Sequence, residues 1–417
     1  MLSILSEKKA EATLKEKISE IEKRGSLDEE GLHRIEGKSF MLGCLIARTK
    51  QGQETVSYAF SGSFDGSYLI KGWVPPCFSV SSFEKIVDEY DSIIHCYSDR
   101  IELGEKDLEP VRRSLSNECQ AKIFGNYTFH TPSGSVKFAD MKLKAMPPSG
   151  TGDCAAAKLL SWCFKRGWEP LSLCEIYYGH DSTLRQHLHS YPPCDEKCAL
   201  ILKHIFTLDI IYSDDDIVIV NKEAGMLSVP GKGEDKADCV SSRVKKIFPS
   251  APLLPSIHRL DMDTSGLLVL AKNEKAKSFI SRQFEDRSVE KTYIALLDGL
   301  VKEERGTIDL PLRLDTDNRP YQIVDLEKGK KAVTQFERLS VEIIDGRTVT
   351  RMRFTPHTGR THQLRVHSAS GLKCPILGDR LYGSRKEGER LALHAQSLSF
   401  IHPSTGERVS FSSPAPF

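Results

Sequence analysis

Ile257-His258-Arg259-Leu260-Asp261-Met262-Asp263-Thr264-Ser265-Gly266 runs without a break into Leu267-Leu268-Val269-Leu270-Ala271. The second segment is a short, continuous apolar run, the pattern of a strand buried on both faces. The first follows Pro252 and Pro255 and crowds a basic residue, two carboxylates, two hydroxyls and a glycine into a turn at the mouth of that strand. A rigid strand aims the side chains of such a turn, and function concentrates on loops held in this way.

Working outward, Thr207 to Val229 reads as strand, turn, strand and loop. Ile210-Ile211-Tyr212 and Ile217-Val218-Ile219-Val220 flank the turn Ser213-Asp-Asp-Asp216. A helix follows with Val240, Val244, Ile247 and Phe248 on one face. Pro230-Gly231-Lys232-Gly233 lacks the glycine spacing and the Lys-Ser/Thr ending of a phosphate-binding loop. Downstream, Asn273 is placed to cap a helix with Ala276, Phe279, Ile280 and Phe284 inward. Lys291–Leu297 is a strand, and two more are predicted at 332–339 and 348–355. In the last, Val349, Arg351 and Arg353 alternate with Thr350, Met352 and Phe354, which predicts one apolar face and one basic face turned to RNA.

The first two hundred residues read differently. Residues 6–24 form a Lys/Glu/Ala-rich helix with a narrow stripe of Leu14, Ile18 and Ile21, a surface helix leaning on a neighbour. Met41–Ala47, Thr55–Phe60 and Ser67–Ile70 are short strand-like runs broken by glycine turns, and 83–120 is helical with Phe83, Ile86 and Val87 on one stripe. A helix opens near Asp153 with Leu159, Leu160 and Cys163 inside. Cys154 sits at its start, where a helix dipole favours thiolate. Three readings stand for Cys154, Cys194 and Cys198: packing, a metal site, or a reactive Cys154. The three-residue gap between Cys194 and Cys198 is one longer than the usual zinc knuckle.

Length and composition set the bounds. A chain of 417 residues has room for two or three domains. We divide it into an N-terminal helix over 1–36, an α+β accessory domain over 37–205 and a second α+β domain over 206–417. The net charge of +1 means that any nucleic-acid contact comes from a local patch. Residues 208–417 carry 32 Lys+Arg against 29 Asp+Glu, too even a balance to decide more. The eleven cysteines lack framework spacing, and Met1-Leu-Ser-Ile-Leu-Ser6 is followed at once by Glu7, Lys8 and Lys9 rather than by a signal-peptide core. No apolar run approaches a membrane span. A cytoplasmic protein with reduced thiols is expected.

Three chemistries compete for Asp261. Asp-Thr-Ser-Gly is similar to an aspartic-protease triplet, but no second triplet supplies the partner carboxylate that such a dyad needs. Asp261 and Asp263 together could hold a divalent metal, though no third acidic ligand is evident. One carboxylate could instead act as a covalent nucleophile, held ionised by a neighbouring arginine. The second constellation is Pro356-His357-Thr358-Gly359-Arg360-Thr361-His362-Gln363-Leu364-Arg365-Val366-His367. There Thr361 is placed to cap a short helix, and the helix-start amides with Arg360 and Arg365 predict a phosphate site. His362 and His367 lie five apart, about 140° round a helix, which disfavours a metal.

His258–Gly266, Lys291-Thr-Tyr293 and Thr358–His367, in that order, resemble the three motifs of the RluA family of RNA pseudouridine synthases. Pro375-Ile-Leu-Gly-Asp-Arg-Leu-Tyr382 and Leu393-His394-Ala395 are similar to that family's C-terminal signatures. Gly225-Met-Leu-Ser-Val-Pro-Gly231 and Asn318-Arg-Pro320 carry a finer likeness, to members that act on a tRNA anticodon-loop uridine and a large-subunit rRNA uridine. The resemblance implies an α+β fold with a mixed, largely antiparallel sheet, flanking helices and a central RNA cleft. It implies Asp261 as nucleophile, Tyr293 stacked on a flipped uracil, Arg365 paired with Asp261, and Leu364 in the base pocket. Arg259 would fill the gap left by the flipped base. His258, Arg360, Thr361, His362 and Gln363 would complete the contacts to substrate. No cofactor is implied, because the reaction is an isomerisation. The partner is structured RNA, tRNA or rRNA or both, and not a membrane.

The likeness covers about half the chain, from Leu208 to Phe417. What precedes it does not read as an S4-type RNA-binding domain. It resembles the extension on long RluA-type proteins in which Gly-x-Gly-x-Cys and Tyr-Pro-x-Cys segments recur, and it implies no activity. Two alternatives stay open: a catalytically silent RNA-binding protein, and a bifunctional one with a Cys- or metal-dependent N-terminal activity.

Overall fold

A computed structural model of the chain describes residues 5, 7–141, 143, 145–193, 197–231, 233, 236–384 and 388–417, with only the backbone of Cys198. The chain divides into two compact units, Met1–Asp215 with Lys246–Pro249, and Asp216–Lys245 with Ser250–Phe417.

Unit 1 contains α1 (Lys8–Arg24), β1 (Phe40–Arg48), β2 (Glu54–Phe60), α2 (Val80–Glu102), α3 (Glu109–Gly125), β3 (Thr128–Thr131), β4 (Gly134–Lys137), α4 (Ala155–Lys165), β5 (Glu169–Tyr178), α5 (Cys198–Phe206) and β6 (Ile210–Ser213). Its antiparallel sheet runs β2-β1-β5. The stripe of α1, Ala10, Leu14, Ile18 and Ile21, packs into one core with Leu42, Cys44, Ile46 and Ile176. The intervening Gly43 faces α4, where a Cβ would lie 2.6 Å from that of Ala155, so glycine permits the close approach. Helices thus cover both faces of β1. The same cover explains why β5 escapes a search for alternation: it is buried almost throughout and shows none. Ser67–Ile70, expected as a strand, is irregular beyond an isolated bridge between Phe64 and Ser67 that closes the Asp65-Gly66 turn. The helical stretch divides into α2 and α3, joined through Tyr90, whose hydroxyl donates to Glu118 at 2.6 Å.

The cysteine readings separate here. Cys44, Cys163 and Cys174 are buried free thiols. Cys154 is the N-cap residue of α4 but makes no side-chain cap. The Ala156 N–H donates instead to the buried Glu175 carboxylate at 3.0 Å, and the Ala155 N–H to Ser61 Oγ at 3.2 Å. Glu175 is therefore the carboxylate at this helix start, and the Cys154 side chain takes no part in capping it. Cys194 and the side chain of Cys198 lie outside the described residues, as does Lys232 of the glycine-rich Pro230–Gly233 stretch.

Unit 2 contains β7 (Ile217–Lys222), most of α6 (Val240–Ile247), β8 (Ser265–Ala271), α7 (Glu274–Glu285), β9 (Glu290–Asp298), β10 (Arg305–Asp309), β11 (Leu312–Leu314), β12 (Gln322–Val324), β13 (Val333–Ile344), β14 (Arg347–Pro356), α8 (Gln363–Val366), β15 (Leu393–Ile401) and β16 (Arg408–Ser412). The main sheet runs β10-β13-β14-β9-β15-β8-β7, with β16 on β15. Every pairing is antiparallel except β8 with β15. This is the mixed α+β sheet with flanking helices expected from the motifs.

Three local expectations change. Ser265 and Gly266 belong to β8 rather than to the turn, which is Asp261–Thr264 and closes with Thr264 N–H on Asp261 C=O at 3.1 Å. Phe279 is 41% exposed, and Gln283 takes the inward place on α7 beside Ala276 and Ile280. The basic face of β14 is neutralised across the ladder: Arg351 forks onto Glu342 at 2.8 and 3.2 Å, and Arg353 reaches Glu337 at 2.6 Å. A register shift between Arg338 and Ser340 sets these pairs, and the alternation of β14 alone could not reveal them.

Gly266 has φ +114°, and a Cβ there would collide with the Ala395 backbone on β15. Gly266→Ala is therefore expected to cost about 3 kcal/mol or more through backbone strain and overlap, read as a lower denaturation midpoint; an unchanged midpoint contradicts this packing.

Candidate active site

A cavity of about 590 Å³ in unit 2 opens where the Asp261 turn, Tyr293 on β9 and the loop from β14 to α8 meet. It brings together His258, Arg259, Asp261, Tyr293, Arg360, His362, Gln363, Leu364 and Arg365. Thr361 is exposed and is not among the lining residues. Nor does Thr361 cap α8: the N-cap is His362, in the left-handed region at φ 55°, with no side-chain cap.

Arg365 organises the centre. It is 3% exposed, and its Nε and Nη2 donate to the two oxygens of Asp379 at 2.8 and 2.6 Å, a bidentate fork. Its remaining nitrogen, Nη1, points at Asp261 Oδ2, 3.6 Å away. A guanidinium buried in this way does not serve as a phosphate clamp, which corrects the anion site expected from sequence. Asp379 is fully buried, and its Oδ1 also accepts from the Leu381 and Tyr382 amides at 2.9 and 3.2 Å. Burial alone would raise the Asp379 carboxyl, but the Arg365 fork and those amides hold it below the usual carboxylate range.

The same oxygen of Asp261 faces a second donor. His362 Nε2 lies 3.9 Å from Asp261 Oδ2, while His362 Nδ1 lies 2.8 Å from the Tyr382 hydroxyl. That hydroxyl already accepts the Gln322 N–H at 2.7 Å, so its own hydrogen is free to go to Nδ1. Neutral His362 therefore carries its proton on Nε2, facing Asp261. Burial lowers the His362 pKa, with the Asp261 charge opposing. Tyr293 stays a phenol, its pKa raised by burial and then by the Asp261 charge.

The remaining candidates brace the site. Gln363 accepts from the Thr358 hydroxyl and the Arg360 N–H at 2.7 and 3.0 Å, and donates to Val333 C=O and Thr334 Oγ1 at 3.0 and 2.9 Å. Its amide thus shapes the loop. His258 stacks on Phe284 at 4.6 Å and accepts the Val269 N–H at 3.2 Å; burial, then the Lys291 charge, pushes its pKa down to about 3. Arg259 is exposed at the mouth. Asp263, weighed from sequence as a metal ligand beside Asp261, is paired with Arg380 at 2.9 Å. The two carboxylates therefore face different cations and do not converge on one metal position.

Several residues escape a motif reading. Lys222 at the end of β7 is 1% exposed and donates to Glu223, Met226 and Met262 C=O at 2.9, 2.8 and 2.9 Å. Burial pushes its pKa down to about 8. Ser228 pins Leu260 twice, donating to its carbonyl at 2.7 Å and accepting from its amide at 3.0 Å. Asp379, Tyr382 and His394 fall in stretches whose likeness is legible but whose roles are not. His394 Nδ1 meets the Ser265 hydroxyl at 2.8 Å and Nε2 meets Ser413 C=O at 3.1 Å, so Nε2 carries the proton.

A family model described as RNA pseudouridylate synthase matches residues 216–370. The chain is 45% identical over 213 residues to the dual-specificity RNA pseudouridine synthase RluA of Escherichia coli (strain K12), covering 50% of this chain and 94% of that one. It is 46% identical over 199 residues to the protein of the same description from Vibrio parahaemolyticus, covering 47% and 78%. Among solved structures, human RNA pseudouridylate synthase domain containing 1 matches with a TM-score of 0.43 at 33% identity, covering 50% of this chain and 84% of that one. The chain belongs to the RluA family of RNA pseudouridine synthases, and it carries an additional N-terminal region outside the family match.

The buried His394 gives a pH signature. Burial pushes its folded pKa down to about 4, whereas an unfolded histidine titrates near about 6.5. Above that value neither state is protonated and the contribution is whole. As pH falls toward 4 only the unfolded chain takes up the proton, so about 3 kcal/mol is lost. His394→Gln should flatten unfolding stability against pH by that amount between pH 7 and 4; parallel profiles contradict the assignment.

Proposed function

We propose that this chain isomerises specific uridines of structured RNA to pseudouridine with Asp261 as nucleophile. The observation that carries the reading is Asp261 Oδ2 facing Arg365 Nη1 at 3.6 Å and His362 Nε2 at 3.9 Å in a cavity shared with Tyr293. Both cationic and neutral donors lie toward Oδ2, and Oδ1 is the oxygen available to attack. Whether it adds to the ribose C1′ or to the uracil, the N1–C1′ bond breaks and a C5–C1′ bond forms. The C5 proton leaves and N1 gains one, so the sum is an isomerisation and requires no cofactor.

The other lining residues take roles consistent with their positions. Tyr293 stacks on the extruded uracil, and its hydroxyl passes on the C5 proton rather than holding a charge. Leu364, 7% exposed, forms the apolar wall of the base pocket. Arg259 fills the vacated place in the stack, and Arg360 with the neighbouring Thr361 meets the backbone at the rim. His258, His362 and Gln363 hold these groups in register. The target is a uridine of a tRNA anticodon stem-loop, of large-subunit rRNA, or both. The identity to relatives described as dual-specificity supports this choice. A cytoplasmic location accompanies it; no described helix is long and apolar enough to cross a membrane.

RNA carrying tritium at uridine C5 tests the reading. The wild-type protein should release tritium to water from an anticodon stem-loop or an rRNA fragment. Asp261→Asn should lower that release on the order of 10³-fold or more while still binding the RNA. Release that survives in Asp261→Asn overturns the nucleophile; no release by the wild-type protein from any cellular RNA leaves a silent binding protein.

A further inference from the structure

Unit 1 has a cavity of its own, about 400 Å³, that the chemistry of unit 2 does not use. One wall is the face of α4 at spacing i, i+3, i+4, i+7: Lys158, Ser161, Trp162 and Lys165. The facing wall includes Asn126 and His130 beside β3. The lining contains two lysines, a histidine and a tryptophan but no carboxylate. Lys158 is 1% exposed, with Nζ donating to Phe60 and Gly62 C=O at 3.0 and 2.9 Å beneath the floor, and burial lowers its pKa. Burial, and then the Lys165 charge, lowers the His130 pKa.

The aromatic content extends past the rim. The Arg166 guanidinium stacks 3.0 Å from the centre of the Trp162 ring and 5.4 Å from that of Trp168, and the Lys50 side chain lies against Gly167. Several cations on the other helices of unit 1 are paired with carboxylates, as in Lys15–Glu11, Lys17–Glu20, Arg100–Glu105 and Lys122–Glu89. Lys50, Lys158, Lys165 and Arg166 make no ion pair among the described residues. Unpaired cations interleaved with indole rings form a surface for anions that carry a flat ring, and the volume lies within the roughly 300–1,000 Å³ of small-ligand sites.

We propose that this notch binds a nucleotide of single-stranded RNA, with the base against Trp162 and the phosphate between Lys165 and His130. A free mononucleotide presents the same chemistry, and the test separates the two sources. The chain has three tryptophans, Trp73, Trp162 and Trp168, all in unit 1. Intrinsic tryptophan fluorescence therefore reports on this unit and is blind to direct contacts in the Asp261 cleft, so the result stands or falls apart from the isomerase reading.

The full-length protein is titrated with a short unstructured oligoribonucleotide and, separately, with uridine monophosphate. The oligonucleotide should quench the emission in a saturable, salt-sensitive way. Lys165→Glu should weaken its binding roughly ten-fold, with Lys50→Glu in the same direction. Both positions are exposed, and an unchanged melting profile shows that the fold is intact. Quenching by the monophosphate at equal or higher affinity than the oligonucleotide overturns the RNA-strand assignment in favour of a free nucleotide. No quenching by either, or full affinity in both variants, overturns the site.

Discussion

The fork from Arg365 to Asp379 is the interaction on which the catalytic unit depends. Both groups are buried, and a buried charge is tolerated only when it is paired and hydrogen-bonded on every side. Asp379 meets that condition with two guanidinium contacts and two backbone amides, and Arg365 meets it with Asp379 and Asp261. Losing either partner of a buried pair costs about 3–5 kcal/mol. The guanidinium therefore has one orientation, and its third nitrogen faces the position of the attacking carboxylate. Backbone geometry serves the same end. The four-residue α8 continues as a wider π-turn over His367–Gly371, with left-handed His362 at its start.

The Asp261 turn is braced as rigidly from the other side. Lys222 ties the Met262 carbonyl, the Gly225 amide adds a second bond to it at 2.8 Å, and Ser228 holds Leu260 by both backbone groups. Beyond the turn, the side chain of Ser265 is fixed between His394 and Arg390, and Gly266 lets β15 approach β8 closely. Turn and arginine thus meet across a cavity from two independently pinned elements. A reacting carboxylate needs this, because a misplacement of about 1 Å can cost two orders of magnitude in rate.

Much of this was legible in the chain. The apolar run Leu267–Ala271, the charged turn before it and the Thr358–His367 stretch point to the elements that line the cavity. Positions whose meaning is tertiary were not legible. Asp379 sits in a quoted motif, but nothing local says that it answers Arg365, fourteen residues away. The arginines of β14 looked free because their carboxylates are on β13, in a register set by a bulge. Strand β5 was hidden because helices cover both its faces, which removes the alternation that a half-buried strand shows. In each case the missing information is a partner brought close by folding rather than by sequence.

Steady-state kinetics of Asp379→Asn test this arrangement most directly. The substitution removes the charge that orients Arg365 but leaves Asp261 and the rim arginines in place. In a variant that melts as a folded protein, kcat for pseudouridine formation should fall about 100-fold, while KM for RNA stays close to that of the wild type. An unchanged kcat, or a loss confined to KM, would contradict the claim that the buried fork positions the nucleophile.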